Sequence, residues 1–463
     1  MISHLKSPRR SLLLGSLALS AALALSACSG GAQEPTATEA GSAGAFGASA
    51  NAPLDVYIFD GGYGAEYADG FVDVYNQTIP GSTVEISAVQ EIATQLQPRF
   101  VAGDPPDVVD NSGKAIELTT LVNDGQLHSL NDLLEAPSLD DENVKIKDTL
   151  TTGVTAVGTY GDDFLVLPYV NTVVGMWYSK SLFEENGWEV PQTWDEFIAL
   201  GEEAAKQDIA LFAYPGQAIG YAGNLWVGLA GKEGGIDVLK NLDNLKPGAW
   251  KDPAVVGAFE ALAELHEKGL ILEGSEALQH TEAQTSFVLG EALFYPSGSW
   301  LENEMKNLTP EGFEMSVAPF PLLSDGAVLD YTAIEVSPGE NFIVPANAKN
   351  PEGGMEFLRS MLTKEAAQNF SRLTGAPTVV KGALEGVELT PGLTSATEAI
   401  DNATETDVRV RFRSWYADLR TVWFESLADV LAGRADAETV TDRLQAAADA
   451  VAADDSIVKY TRD

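Results

Sequence analysis

Apolar and polar positions follow two different periods in the stretch after Pro53, and each change of period marks an element. LDVYIF (54–59) alternates with period two and predicts a strand. AEYADGFVDVYNQT (65–78) sets Tyr67, Phe71, Val74 and Tyr75 on one face at helical spacing. STVEIS (82–87) predicts a second strand, and EIATQLQPRFVAG (91–103) a second helix that Pro98 is expected to bend or break. DVVD (107–110), after a DPP turn, reads as a short buried strand. This alternation predicts an α/β fold, a parallel sheet with helices on both faces. Such sheets bind ligands beyond the carboxyl ends of their strands. Those ends carry Asp60-Gly61-Gly62-Tyr63, Val89-Gln90-Glu91 and Asp110-Asn111-Ser112-Gly113, all polar and two of them glycine-bearing.

The pattern is different before Pro53. A basic KSPRR (6–10) precedes an apolar run, SLLLGSLALSAALALSA (11–27), too short and too rich in small residues for a comfortable membrane span. It reads as the apolar region of a secretory signal. Leu25-Ser26-Ala27-Cys28 resembles a bacterial lipobox, in which the cysteine is acylated. Ordinary signal cleavage beside an incidental cysteine is the plainer alternative. Arg9-Arg10 followed by Ser11-Leu12-Leu13 is similar to a twin-arginine export signal, with the general export route left open. Residues 28–52 are mostly Gly, Ala, Ser and Thr, with little to bury, and are expected to be a flexible tether. A diacylglyceryl group on Cys28 would satisfy the need for more than one chain in a stable anchor.

Composition narrows the partners. The formal net charge is −40 over 463 residues. Removing residues 1–27 takes away Lys6, Arg9 and Arg10 and no acidic residue, so the remainder is more acidic still. Such a surface repels nucleic acid and anionic lipid. Cys28 is the only cysteine, so no internal disulfide supports the fold. The length after the tether suffices for two lobes with their own cores.

Residues 161–200, GDDFLVLPYVNTVVGMWYSKSLFEENGWEVPQTWDEFIAL, carry a resemblance. Leu167-Pro168-Tyr169, Trp177-Tyr178-Ser179-Lys180, the LFEENG helix and Pro191-Gln192-Thr193-Trp194-Asp195-Glu196 resemble the signature of bacterial extracellular solute-binding proteins of sugar ABC transporters. LGEALFYPSGSWLENEM (289–305), NFIVPANAKNPEGGMEFLRSMLTKEAAQNFSRLTGAPTV (341–379) and GRADAETVTDRLQAAADAV (433–451) are similar to three further elements of that family, in the same order. The loops GGYG (61–64), DVVDNSG (107–113) and LHSLNDLLEAPS (127–138) resemble the actinobacterial subgroup that imports N-acetylglucosamine and chitobiose.

The resemblance implies a two-lobed periplasmic-binding-protein-like fold, each lobe a mostly parallel sheet flanked by helices, joined by hinge crossings. The expected segments are 53–170 and 318–375 for the N-lobe, and 171–317 and 376–463 for the C-lobe. Crossings are expected near 168–172, 318–321 and 375–377. It also implies a monomer that closes on a mono- or short oligosaccharide and delivers it to a permease pair and, through that pair, to an ATPase. No cofactor, metal or catalytic residue is expected.

A sugar has apolar ring faces and a hydroxyl rim, so a binder needs flat aromatic rings and planar polar groups. Aromatic residues at loop-like positions are Tyr63, Tyr169, Tyr214, Tyr221, Trp226, Trp300, Trp415 and Trp423; Phe71, Phe197, Phe259 and Phe357 recur at helical spacing and read as core. The resemblance points to Trp300 in YPSGSW as a stacking ring, to Trp415 or Tyr416 in RFRSWYADLR as another, and to Tyr221, Asn224 and Trp226 in GYAGNLWVGLA as contacts. Trp177 and Trp194 read as packing, Trp188 and Trp250 as surface covers. Glu91, Asn111, Ser112, Asn171, Glu335, Asn341 and Arg413 complete the expected polar rim, although capping or plain solvation explains any one of them equally well, and Tyr63 beside Gly62 is expected to supply part of the contact to an acetamido group.

Three rivals stand beside a sugar binder. With 68 acidic residues, a glycosidase carboxylate pair is not excluded by counting, but no motif sets two carboxylates on facing strand ends. A metal binder would want clustered ligands, and His128, His266 and His280 are isolated in sequence. A peptide binder would use main-chain partners, which sequence does not reveal. DNSGKA lacks the upstream glycine and the hydroxyl residue of a phosphate-binding loop, and HExxH and GxSxG are missing.

Overall fold

Strand β1 (Leu54–Phe59) shows how the alternation is used. Leu54, Val56 and Ile58 pack into one core, while Tyr57 and Phe59 pack against the apolar group on the other face of the sheet. The computed structural model describes residues 44–462. The other strands are β2 (Val84–Val89), β3 (Val108–Asp110), β4 (Thr159–Tyr160), β5 (Asp163–Phe164), β6 (Leu167–Ser179), β7 (Ala210–Phe212), β8 (Ala292–Gly298), β9 (Met315–Ala318) and β10 (Glu335–Ile343).

Eight of these strands form one sheet, in the order β2-β1-β3-β10-β6-β8-β7, with β9 also on β6. β2, β1 and β3 are parallel, as are β7 and β8. β10 runs antiparallel to β3 and to β6, and β6 antiparallel to β8 and β9. The fold is α/β and two-lobed, but the sheet is mixed and continuous from lobe to lobe. The 13-residue β6 belongs to both: Leu167, Tyr169 and Val170 pack in the N-lobe core, Val174 and Met176 in the C-lobe core.

The N-lobe core centres on Phe71, Tyr169, Phe357 and Phe370, all fully or almost fully buried. The C-lobe core centres on Trp226, which stacks on Trp250 (5.7 Å, 18°) and meets Trp423 edge-on. Both helices read from the early pattern form, as Ala68–Thr78 and Ile92–Ala102. Pro98 leaves the second unbroken. It lies on the exposed face, and so does Thr94, whose freed carbonyl is open to water.

Packing differs from the expected segment boundaries. Phe320 and Ala333 lie in the C-lobe core, so the return crossing is β10 and not 318–321. Ala376, Val379 and Val380 lie in the N-lobe core. The last crossing falls between Glu385, which pairs with Lys364, and Thr390, which holds Glu302. The signal segment, the lipobox Cys28 and most of the tether lie outside the described residues. Residues 44–52, expected as tether, dock on the N-lobe: Ala48 is 1% exposed, Ala45 N donates to Glu356 Oε2 (2.9 Å), and Asn350 Nδ2 donates to Ala52 O (3.1 Å). Small residues that bury little by themselves fit closely against the helix Pro351–Met361.

Candidate functional site

β10 and the carboxyl ends of the N-lobe strands place one large cavity, about 950 Å³, between the lobes. The N-lobe wall is the loop after β3 and the short helix Leu118–Asn123 that follows it, with Tyr160 from the β4–β5 hairpin. Ser337, Gly339 and Asn341 of β10 form the floor. The C-lobe wall carries Arg409, Arg411, Arg413, Trp415 and Arg420, with Tyr460 from a later segment.

The N-lobe wall is braced locally. Asn111 Nδ2 donates to Ile116 O and Asn111 Oδ1 accepts from Ile116 N, both at 2.9 Å, which fixes the loop conformation. Ser112 Oγ donates to Asp110 Oδ1 (2.5 Å) and accepts from Asn341 N (2.9 Å), tying the loop to the crossing strand. Behind it sits a buried acid pair. Tyr67 Oη donates to Asp110 Oδ2 (3.3 Å), and the Asp110 charge acts on the buried Glu340 carboxyl. Burial pushes the Asp110 carboxyl up to about 6. Glu340 is raised further, by burial and then by the Asp110 charge. Glu340 also holds a φ of +52°, a left-handed conformation that costs a non-glycine residue roughly 1–2 kcal/mol.

The C-lobe wall is cationic in an acidic protein. Each guanidinium has a carboxylate partner: Arg409 with Asp407 (2.6 Å), Arg413 with Glu335 (3.7 Å), Arg420 with Glu117 across the cleft (3.0 Å). Arg411 lies 3.9 Å from Asp407, and burial with the neighbouring arginine charges lowers its pKa. Asn224 Oδ1 accepts from Arg413 Nη1 (3.0 Å), aiming that side chain. Burial raises the Glu335 carboxyl, and the charges of Arg413 and Arg409 oppose the shift.

The lobes also touch at a second seam. Asn303 Nδ2 donates to Gly62 O (2.7 Å), and the Tyr63 and Ser299 hydroxyls lie 3.5 Å apart. A Cβ on Gly62 would come 2.9 Å from Trp300 Cβ, so only glycine allows this approach. Trp300 meets Tyr221 edge-on at 6.0 Å, and Tyr221 stacks on His280. His280 is raised by its hydrogen bond to Glu304.

Of the residues singled out from sequence, Asn111, Asn341, Arg413 and Trp415 line the cavity. Gly62, Tyr63, Tyr221 and Trp300 gather at the seam. Ser112, Asn224 and Glu335 lie behind the walls and hold residues that face the cavity. Glu91 is at the rim, paired with Lys114 at 2.5 Å. Three are displaced. Tyr169 is fully buried, its hydroxyl spent on Met361 O (2.9 Å), because β6 turns it into the N-lobe core. Trp226 is fully buried because its helix, Gly220–Gly234, is apolar on nearly every side. Asn171 donates to Thr151 Oγ1 and Thr378 O and braces the crossing strand. Tyr214 (2% exposed) and Trp423 (0%) are likewise core, and so is Trp250, expected as a surface cover.

Sequence reasoning missed Glu117, Tyr160, Arg411, Arg420 and Tyr460. The signal for the arginines was present: RVRFR places three in five residues of a chain at net −40. Tyr460 had no such signal. Among the described residues, no group of three or more His, Cys, Asp or Glu converges as a metal site.

The family model for bacterial extracellular solute-binding proteins matches residues 61–368. Over 461 residues the chain is 41% identical to the diacetylchitobiose binding protein NgcE of Streptomyces coelicolor, covering 97% of each chain. It is 24% identical over 319 residues to the multiple sugar-binding protein of Streptococcus mutans, covering 66% of this chain and 70% of that one. Among solved structures, a chitin oligosaccharide binding protein superposes with a TM-score of 0.70 at 20% identity, over 86% of this chain and 98% of that one, a likeness of fold.

Proposed function

This chain belongs to the family of bacterial extracellular solute-binding proteins, and we propose that its solute is a short oligosaccharide of N-acetylglucosamine, diacetylchitobiose above all. The observation that carries the reading is full-length similarity to a diacetylchitobiose binding protein, together with an interlobe cavity of about 950 Å³ lined by rings and planar polar groups. That volume falls within the roughly 300–1,000 Å³ of small-molecule sites. Trp415 offers a face for a sugar ring, and Arg413, Asn341 and Asn111 offer donors and acceptors to hydroxyl and acetamido groups. Trp300, Tyr221 and Tyr63 at the seam supply further ring surface when the lobes part. Binding proceeds by hinge closure about β6 and β10.

The family works outside the cytoplasm. Within this proposal Cys28 carries the lipid that holds the protein at the membrane, and the closed form hands its sugar to a permease pair driven by an ATPase. Calorimetric titration tests the ligand: diacetylchitobiose is expected to bind far more tightly than cellobiose, which lacks acetamido groups. No heat with any sugar of a broad panel overturns the reading. Release of N-acetylglucosamine from labelled diacetylchitobiose by the purified protein would replace the binder with a hydrolase. Cys28→Ser is expected to free the protein into the medium, and retention at the membrane would refute the anchor.

A further inference from the structure

Residues 457–462 follow the helix Ala437–Ala453 and carry none of the motifs that identify the family, yet they return to the cleft. Arg462 is 3% exposed and pinned in the C-lobe. Its Nη1 donates to Asp243 Oδ2 (2.8 Å) and Arg409 O (2.6 Å), and its Nη2 to Asp407 O and Oδ2 (both 2.9 Å). Its backbone is held on both sides by Asn244, at 2.8 and 2.9 Å. Charge-assisted bonds of this kind are short and directional, and a buried guanidinium so surrounded has little freedom.

Two residues earlier, Tyr460 is fixed as closely. Its N–H donates to the Tyr416 hydroxyl (3.1 Å), which lies 3.4 Å from Tyr460 O. Its ring stacks on Trp415, centroids 5.4 Å apart at 28°. Its hydroxyl crosses the cleft and donates to Asn123 Oδ1 of the N-lobe (3.3 Å). Tyr460, Thr461, Trp415 and Asn123 all line the cavity.

We propose that residues 457–462 form a strap that completes the solute cleft: Tyr460 is both a wall of the site, buttressing the Trp415 ring, and a latch between the lobes, while Arg462 is the positioning residue that holds it there. The physical reason is pre-organisation. An aromatic platform binds a sugar face only if its rings are already set, and a segment without helix or strand needs such anchoring to set one. The wall role rests on the sugar reading above, and the latch role does not.

Two measurements separate them. For the latch, paired spin labels at Val101→Cys and Leu289→Cys, both exposed, in a Cys28→Ser background report the interlobe distance without sugar. Tyr460→Ala and Asn123→Ala are each expected to lengthen and broaden that distance, with Tyr460→Phe matching Asn123→Ala. Distributions identical to the parent overturn the latch. For the wall, calorimetry with diacetylchitobiose is expected to show at least tenfold weaker binding for Tyr460→Ala and a smaller loss for Tyr460→Phe. Unchanged affinity in Tyr460→Ala overturns the wall. A parent that binds no sugar refutes the sugar reading and the wall with it, and the latch is then judged by the distances alone. Arg462→Ala would strand the Asp243 carboxylate, so the paired change Arg462→Gln/Asp243→Asn is used, with folding checked by circular dichroism. It is expected to reproduce the Tyr460→Ala distances and to add nothing when combined with Tyr460→Ala, whereas Arg462→Lys restores most of the parent behaviour. Additive effects, or no rescue by lysine, overturn the positioning role.

Discussion

The two walls of the cleft are built in opposite ways. The side chains of the N-lobe wall are braced mainly at short range: Asn111 is bonded to Ile116, five residues away, and Ser112 to Asp110, two residues away, with Asn341 joining the wall to the crossing strand. Its charge is hidden behind it, in the Asp110–Glu340 pair, and held partly as neutral acid by burial. The C-lobe wall is long-range. Arg413 depends on Asn224 and Glu335, and Trp415 on Tyr460. Its charge faces the cavity. One wall is thus a rigid frame of amide and acid groups, and the other an assembly of rings and guanidinium groups gathered from distant segments. The first should fail through stability and pH, the second through affinity.

The largest expected effect lies behind the C-lobe wall. Trp226→Ala removes a fully buried ring and is expected to cost about 3–5 kcal/mol of stability, read by denaturant titration. Affinity measured well below its melting temperature should be nearly unchanged. A large loss of affinity with little loss of stability would make Trp226 part of the site.

The N-lobe wall is tested next. Asp110 has a carboxyl raised from 3.8 to about 6, so the folded protein holds that proton more tightly than the unfolded chain does. Its contribution to stability is fully present below about pH 4 and is lost as pH rises through about 6. At about 1.4 kcal/mol per unit the loss is on the order of 2–3 kcal/mol. Glu340, also raised, carries the same trend to higher pH, and Tyr63 and Tyr67 face the pair without titrating in this range. Asp110→Asn keeps an acceptor for Ser112 and removes the titrating group. Melting temperatures between pH 4 and pH 8 should fall with rising pH in the parent and fall less in the variant. Parallel profiles would mean that Asp110 titrates normally.

Legibility in the sequence followed the same division. β1, β2 and β3 and both early helices were readable because each is specified by neighbours in sequence, through alternation and helical spacing. Asn111, which lines the cavity, and Ser112, which braces the wall behind it, were readable as cleft-end residues because a strand's carboxyl end is a strand's carboxyl end wherever the lobes sit. Trp415, on the cavity, and Trp300, at the seam, were singled out only through resemblance, since nothing local separates a ring that faces a cleft from one that faces a core. Trp226 shows the failure: GYAGNLWVGLA contains glycines and a tyrosine like a loop, yet it forms a helix buried on nearly every side. Gly223 and Gly228 are there for close packing, against Trp423 and Phe320. Tyr460 and the return crossing at β10 depend on contacts between residues more than a hundred positions apart, which no period records.

For the C-lobe wall itself, Trp415→Ala is expected to weaken diacetylchitobiose binding at least tenfold, about 1.4 kcal/mol, with a smaller loss of stability because the ring is only half-buried. Calorimetry and melting on the same samples decide it. Equal losses in both would reduce Trp415 to packing.

The smallest effect falls where the walls meet. Arg420 and Glu117 bridge the cleft at 3.0 Å with both side chains partly exposed, 29% and 54%. Exposed pairs of this kind are worth about 0.2–1 kcal/mol and are screened by salt. Glu117→Gln should therefore weaken sugar binding by less than about fivefold at low ionic strength. The difference from the parent should vanish near 1 M salt, where the screening length is about 3 Å. The Tyr460–Asn123 contact spans the same cleft between neutral groups, so the loss in Tyr460→Phe should persist at high salt. If both losses vanish with salt, closure is governed by charge alone. If neither does, the Glu117–Arg420 pair acts through geometry, and the two walls are less different than their composition suggests.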